Sequence, residues 1–311
     1  MQTNLQARCG STVDVPLKAR DPWQAWVWAV PALVALLLVG LLVASHGGGI
    51  AGTARWPEQQ AAFLALNAAF AALPPALWSG ITLLGDTSVL MPLLALFVLG
   101  RPQVWAATLA AVPAGALFST LTKHWANVPR PAAVLDQSLF NLIGPALHSQ
   151  SFPSGHTITA FAATAAVLAT LSPSPRRGRD WMLLVAGLLV AATVAFSRVA
   201  VGAHWPLDLA AGASGGWLAG LSGAALARRM GWWQWLEFGT GRRAAGAGLI
   251  LWGLLLWVRP HDTLSCAVVL GVSGLCGVGA GLWLLLKGKQ MNTSPMALAR
   301  STSSSKGLPA K

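Results

Sequence analysis

Apolar runs close to 20 residues long recur from one end of this chain to the other, and they constrain its fold more than any other feature. A run of that length crosses a ~30 Å hydrocarbon core as an α-helix. Inside that core only helices and closed barrels satisfy every backbone N–H and C=O. A barrel needs short segments of alternating hydrophobicity, and the chain has none. Of its 311 residues, 55% are hydrophobic and 10% charged, against about 25% charged in a soluble domain. The pattern predicts an all-α fold, a polytopic transmembrane helical bundle.

Eight spans are expected, at about 23–45, 81–100, 103–122, 155–171, 181–198, 206–227, 244–258 and 264–286. Trp23, Trp26 and Trp28 open the first as an interfacial anchor. Its apolar run exceeds the 7–15 residues usual for a signal-peptide h-region, so the polar segment 1–22 reads as an N-terminal extension rather than a cleaved leader. Residues 59–73 place Phe63, Leu66 and Phe70 at helical spacing beside Gln59, Gln60 and Asn67. They fit either a helix lying in the interface or the start of a span kinked at Pro74-Pro75. Residues 123–153 read as a long loop, 228–243 as a basic, Trp-rich linker, and 287–311 as a disordered Ser/Lys-rich tail. Cys9, Cys266 and Cys276 form no disulfide framework, and the latter two fit packing as small hydrophobes.

The net charge of +12 is not read as a nucleic-acid footprint. With both termini cytoplasmic, eight spans put Arg8, Lys18, Arg20, Arg101, Arg176, Arg177, Arg179, Arg228, Arg229, Arg242, Arg243, Lys287, Lys289 and the tail on one side. Only Arg55, Lys123, Arg130, Arg198 and Arg259 fall opposite. Lys and Arg concentrate in cytoplasmic loops, so this asymmetry sets the orientation.

Three short strings fall on the less basic face: Lys123 with Arg130-Pro131, Pro153-Ser154-Gly155-His156, and Ser197-Arg198 followed by His204 and Asp208. Each cation sits near a span end, where the bland expectation is snorkelling to headgroups. Three cations beside two histidines fit a phosphate better, because guanidinium forks and a lysine point charge match its oxygens. Ser154 suits the N-cap of the fourth span, which aims free amides at an anion, and Gly155 permits close approach. Pro206 suits the first turn of the sixth helix, placing Asp208 where its carboxylate can accept from one nitrogen of His204. The other nitrogen is then free as a nucleophile, and His156 can protonate the leaving oxygen. A structural His–Asp pair and a metal trio of His156, His204 and Asp208 compete with this reading. Three cations aimed at the same point repel a divalent metal, so neither metal nor cofactor is expected.

These strings resemble the signature of the type 2 phosphatidic acid phosphatase family: K-x6-R-P, P-S-G-H and S-R-x5-H-x3-D. Every position is present, in order and at the right spacing. The resemblance implies a six-helix phosphatase core, here 23–227, with two extra C-terminal spans at 244–286. It implies His204 as nucleophile, Asp208 orienting it and His156 as acid, with Lys123, Arg130, Ser154, Gly155 and Arg198 binding phosphate without metal. His124 and His148 lie outside the signature and read as loop residues. The chain is similar to bacterial inner-membrane members acting on outer-leaflet lipids. The expected substrate is undecaprenyl pyrophosphate first, or phosphatidylglycerol phosphate or phosphatidic acid. The apolar loop 132–152 would admit the headgroup sideways or simply pack on the bundle. A lipid phosphotransferase and a non-catalytic lipid transporter stand as alternatives. Membrane lipids are the expected surroundings, and the oligomeric state is open.

Overall fold

A computed structural model describes residues 22–172 and 178–292. The expectations for the N-terminal segment and Cys9, for Arg176 and Arg177, for the end of the tail, and for the side chains of Trp23 and Trp26 lie outside the described residues. Helices are α1 (Pro22–His46), α2 (Pro57–Phe70), α3 (Pro75–Leu83), α4 (Thr87–Leu94), α5 (Pro102–Ala126), the single turn α6 (Pro131–Val134), α7 (Gly155–Leu171), α8 (Gly178–Ala200), α9 (Pro206–Met230), α10 (Gly239–Trp257) and α11 (Leu264–Asn292). Among the described residues there is no strand. Proline at the first turn starts α2, α3, α5 and α9, where its missing N–H costs nothing.

Four described stretches are by themselves long and apolar enough to cross a membrane: Trp28–His46, Pro102–Val134, Gly178–Ala200 and Leu264–Lys287. Their outward faces carry exposed Leu37, Leu38, Leu189, Val190 and Leu275, as lipid-facing surfaces should. The glycine-rich α9 packs most closely on α7 and α5. A Cβ at Gly216 would stand 2.4 Å from the Ile158 carbonyl oxygen, and one at Gly220 only 2.2 Å from that of Ala162. Such small-residue contact brings two backbones together, the usual solution where lipid removes the hydrophobic drive between helices. It also fixes the start of α9 against the start of α7, where the second and third strings meet.

Four boundaries differ from expectation. The second span is broken: α3 ends at Leu83, Asp86 caps a new helix by accepting from the Ser88 amide at 2.9 Å, and a 3₁₀ turn at Ala95–Leu99 finishes the run. A short capping side chain inside an apolar run competes with helix continuation there. Lys123 is in no loop; it sits on the last turn of α5, which ends at Asn127 in a left-handed cap (φ 39°). The linker is largely helical, since α9 continues to Met230, a 3₁₀ turn occupies Trp232–Glu237 and α10 begins at Gly239. α11 likewise carries past Lys287 to Asn292.

Residues 59–73 take a definite place. α2 and α3 meet at 110° across the Pro74-Pro75 break. Gln59 near the start of α2 accepts from the Leu207 amide at 3.2 Å, at the beginning of α9. Asn67 near its end donates to the carbonyls of Val199 and Ala200, at 2.9 and 3.2 Å, at the end of α8. Both ends of α2 therefore rest on the same end of the bundle, and the helix lies across it. Phe63 packs edge-on against Trp205 and Phe140, with centroids 5.2 and 5.3 Å away.

Candidate active site

Helix polarity brings the three strings to one end of the bundle. Lys123 ends α5, Ser154 and Gly155 start α7, Arg198 lies in the last turn of α8, and His204 and Asp208 flank the start of α9. All eight expected site residues thus collect at the end covered by α2.

His204 and Asp208 form the buried centre, with side chains 3% and 1% exposed. His204 Nδ1 lies 3.2 Å from Asp208 Oδ2. The same oxygen accepts from the Trp205 amide at 2.9 Å and from Ser151 Oγ at 2.5 Å. The carboxylate is thereby aimed by its own helix start and by the loop before α7. With Nδ1 carrying the proton toward Asp208, Nε2 keeps its lone pair. That nitrogen faces Arg130 Nη1 at 3.2 Å. Burial first, and then the charges of Arg130, Arg198 and Lys123, hold the His204 pKa well below the ordinary imidazole value. The ring is neutral where a free histidine would already take up a proton.

The cations are held by backbone oxygens and present their remaining donors inward. Arg130 Nε donates to the Ser149 carbonyl at 2.8 Å and Nη1 to that of Ala203 at 2.9 Å. Lys123 Nζ donates to the Gln150 carbonyl at 2.7 Å. Arg198 is 8% exposed and donates through Nη1 to Thr82 Oγ1. Its Nε is buried with no hydrogen-bond partner among the described residues. A buried guanidinium N–H without an acceptor is costly, and an oxyanion in front of His204 would supply one.

Ser154 caps α7 as expected, its Oγ accepting from the Thr157 amide at 3.4 Å and from Thr157 Oγ1 at 2.9 Å. The Ser154 amide donates to the Asp208 carbonyl at 3.1 Å, tying the two helix starts together. His156 is set differently. Its ring edge packs against the turn between α3 and α4, where a Cβ on Gly85 would stand 2.6 Å from His156 Cβ. A cavity of about 430 Å³ begins at Gly155 and His156 and descends between α4, α5 and α7 past Ser119, Gly115 and Thr108 to Ala163. Among the described residues no three His, Cys, Asp or Glu side chains group as a metal site, so His156, His204 and Asp208 do not converge as a ligand trio.

Of the residues outside the signature, His124 is exposed on α5, and His148 lends its carbonyl, which accepts from the Arg130 amide at 3.0 Å. Loop 132–152 is divided. Phe140 is buried against Phe63, while Leu139 (62%) and Leu147 (44%) stand exposed, as does Trp125 (77%) at the end of α5. Ser151 is the site residue that sequence reasoning missed. It is fully buried two positions before Pro153, and its only signal is a hydroxyl adjoining the second string.

Residues 103–235 match the family model of the PAP2 superfamily. Over 82 residues the chain is 42% identical to an undecaprenyl-diphosphatase of Sulfolobus acidocaldarius. That stretch is 26% of this chain and spans 36% of the length of that relative. A crystal structure of Aquifex aeolicus LpxE is similar at 28% identity and a TM-score of 0.46, over 55% of this chain and 96% of that one. A transmembrane PAP2-type phosphatidylglycerolphosphate phosphatase from Bacillus subtilis is similar at 21% identity and a TM-score of 0.48, over 64% and 96%.

Proposed function

We propose, from the match of residues 103–235 to the PAP2 superfamily model, that this chain is a membrane-embedded lipid phosphate or diphosphate phosphatase of that superfamily, working through a phosphohistidine on His204. The observation that carries this reading is the pair of 3.2 Å contacts that His204 makes, Nδ1 to Asp208 and Nε2 to Arg130. One nitrogen is oriented and the other faces the cation that would hold a phosphoryl oxygen.

In the first step Nε2 attacks phosphorus, an N–P bond forms and the P–O bond to the lipid breaks. His156, protonated, gives its proton to the departing oxygen. Lys123, Arg130 and Arg198 gather the equatorial oxygens with the α7 amides behind Ser154 and Gly155, the electrostatic part of phosphoryl transfer. Asp208 steadies the positive charge that develops on the ring. In the second step a water loses its proton to His156 and attacks phosphorus, the N–P bond breaks, and phosphate leaves. No step calls for a metal.

Two features support a lipid substrate. The cavity running from His156 between apolar helices has room for part of an alkyl or prenyl chain, and exposed Leu139, Leu147 and Trp125 give the site an apolar rim. Similarity to a protein named undecaprenyl-diphosphatase favours a polyprenyl diphosphate over a monophosphate lipid. Charge supports an orientation: Arg101, Arg179, Arg228, Arg229, Arg242 and Arg243 lie at the bundle end away from the site, which favours a site on the non-cytoplasmic face of a bacterial inner membrane.

Purified protein should release phosphate from undecaprenyl pyrophosphate faster than from phosphatidylglycerol phosphate, phosphatidic acid or lipid A, with EDTA leaving the rate unchanged. Quenching during turnover of labelled substrate should trap an acid-labile phosphate on His204. Label on another residue, or a rate abolished by EDTA and restored by magnesium or zinc, would sink the mechanism. Transfer only in the presence of a lipid or sugar acceptor would make the protein a phosphotransferase.

A further inference from the structure

The C-terminal hairpin formed by α10 and α11 lies outside the family match, yet its polar contacts concentrate on one feature beside the site. That feature is the break between α3 and α4. Arg259, just after α10, donates from Nη1 to Asp86 Oδ2 at 2.8 Å and to Ser88 Oγ at 3.1 Å. Trp252 Nε1 donates to the Ser88 carbonyl at 2.9 Å and Ser273 Oγ to that of Val89 at 2.5 Å. Ser265 Oγ donates to the carbonyl of Ala76, at the start of α3.

The turn so held is what His156 rests on. A Cβ at Gly85 would stand 2.6 Å from His156 Cβ, 3.0 Å from His156 Cδ2 and 2.9 Å from Val194 Cγ1, so the turn packs against His156 with no room for a side chain between them. One residue on, Asp86 takes the Arg259 ion pair while its other oxygen caps α4. Thr87 Oγ1 lies 3.0 Å from Thr159 Oγ1, one turn along α7 from His156. A half-exposed ion pair contributes little stability by itself. Its position, one residue from the backbone that backs the ring, gives it another use.

We infer that Arg259 and Asp86 are positioning residues for the reaction: the latch they form lets the C-terminal hairpin set the place of His156 relative to the leaving oxygen. This rests on the reading of His156 as general acid. The acid must lie within hydrogen-bond reach of the atom it protonates, and a displacement near 1 Å can cost up to about 10²-fold.

The test uses leaving-group dependence in the full-length protein. An alkyl or prenyl phosphate needs its departing oxygen protonated; 4-nitrophenyl phosphate does not. Arg259→Ala and Asp86→Asn should lower kcat/KM on an alkyl or prenyl monophosphate roughly 10-fold, within the range set by acid positioning, and change kcat/KM on the aryl phosphate, which covers only the steps through loss of the leaving group, by less than about 2-fold on the same grounds. Arg259→Lys should restore most of the loss, since it keeps a charge for Asp86. Gly85→Ala should give the same signature from the other side, pressing on the ring with the ion pair intact. Equal losses on both substrates, or none on either, would overturn the inference, as would Gly85→Ala lowering both alike. His156→Ala separates the two layers. If it too shows no leaving-group dependence, the acid assignment has failed; if it does and the latch variants do not, only the latch has.

Discussion

The two histidines at this site are held by opposite means. His204 is enclosed and fixed by hydrogen bonds: Asp208 on one ring nitrogen, Arg130 against the other, and Ser151 and the Trp205 amide fixing Asp208 in turn. His156 is held by contact, its ring edge against the Gly85 backbone and its surroundings open to a cavity. The chemistry proposed for them differs in the same way. A nucleophile needs one tautomer and one direction, which a network of hydrogen bonds enforces. An acid that later serves as a base must change protonation state within each turnover. Strong partners on either nitrogen would oppose that change, so packing is the better way to hold it.

Substituting each histidine is the sharpest way to break the comparison. His204→Ala should abolish turnover of alkyl and aryl phosphates alike, a loss beyond about 10⁴-fold, because no covalent intermediate forms. His156→Ala should cost about 10²–10⁴-fold in kcat/KM on an alkyl or prenyl monophosphate and far less in kcat/KM on 4-nitrophenyl phosphate. Steady-state kinetics on both substrates check this. If the two variants lose activity in equal proportion on both, the division of labour is wrong.

The fixed half of the site was legible in the sequence and the packed half was not, for a physical reason. His204, Asp208 and Pro206 lie within one turn of a helix start, so spacing alone brings carboxylate and imidazole together. Lys123, Arg130 and Arg198 sit near the ends of apolar runs, and alternation of helix direction carries those ends to one face. The backing of His156 depends on Gly85 and on an ion pair between residues 173 apart, and nothing local marks such a pairing. The broken second span stayed hidden because Asp86 is the lone charged residue between Ile81 and Leu99, in a stretch otherwise rich in leucine. α2 lies across the bundle through two amides, Gln59 and Asn67, that bond to helix ends far along the chain. Spacing placed them beside an apolar stripe without saying which end they would cover.

Ser151 belongs to the fixed half, and the lack of any local signal for it makes it a useful probe. Its hydroxyl donates to Asp208 Oδ2 at 2.5 Å and lies 3.4 Å from His204 Nδ1. Loss of one such hydrogen bond is worth about 1–2 kcal/mol. Ser151→Ala should therefore lower kcat roughly 5- to 30-fold, as that energy implies. The loss should fall equally on alkyl and aryl phosphates, because it loosens the nucleophile and not the acid. Ser151→Thr, which retains the hydroxyl, should recover part of it. A loss confined to alkyl phosphates would move Ser151 to the other half of the site.

The smallest expected effect concerns pH and separates the halves without mutation. In the proposed mechanism Nε2 must be unprotonated to attack, so kcat/KM should fall on the acid side as His204 takes up a proton. Burial, followed by the charges of Arg130, Arg198 and Lys123, lowers that pKa, so acidification protonates His204 later than it would a free imidazole. The acid limb should then lie below the ordinary histidine value of about 6.5. Salt should move it little, since screening is weak for buried charges. Values of kcat/KM across about pH 4–8 on 4-nitrophenyl phosphate isolate this limb from His156, because that leaving group departs without its proton and the water step comes after it. An acid limb at or above about pH 6.5 would mean that the group titrating there is solvated, and that His204 is not the base whose neutrality the reaction needs.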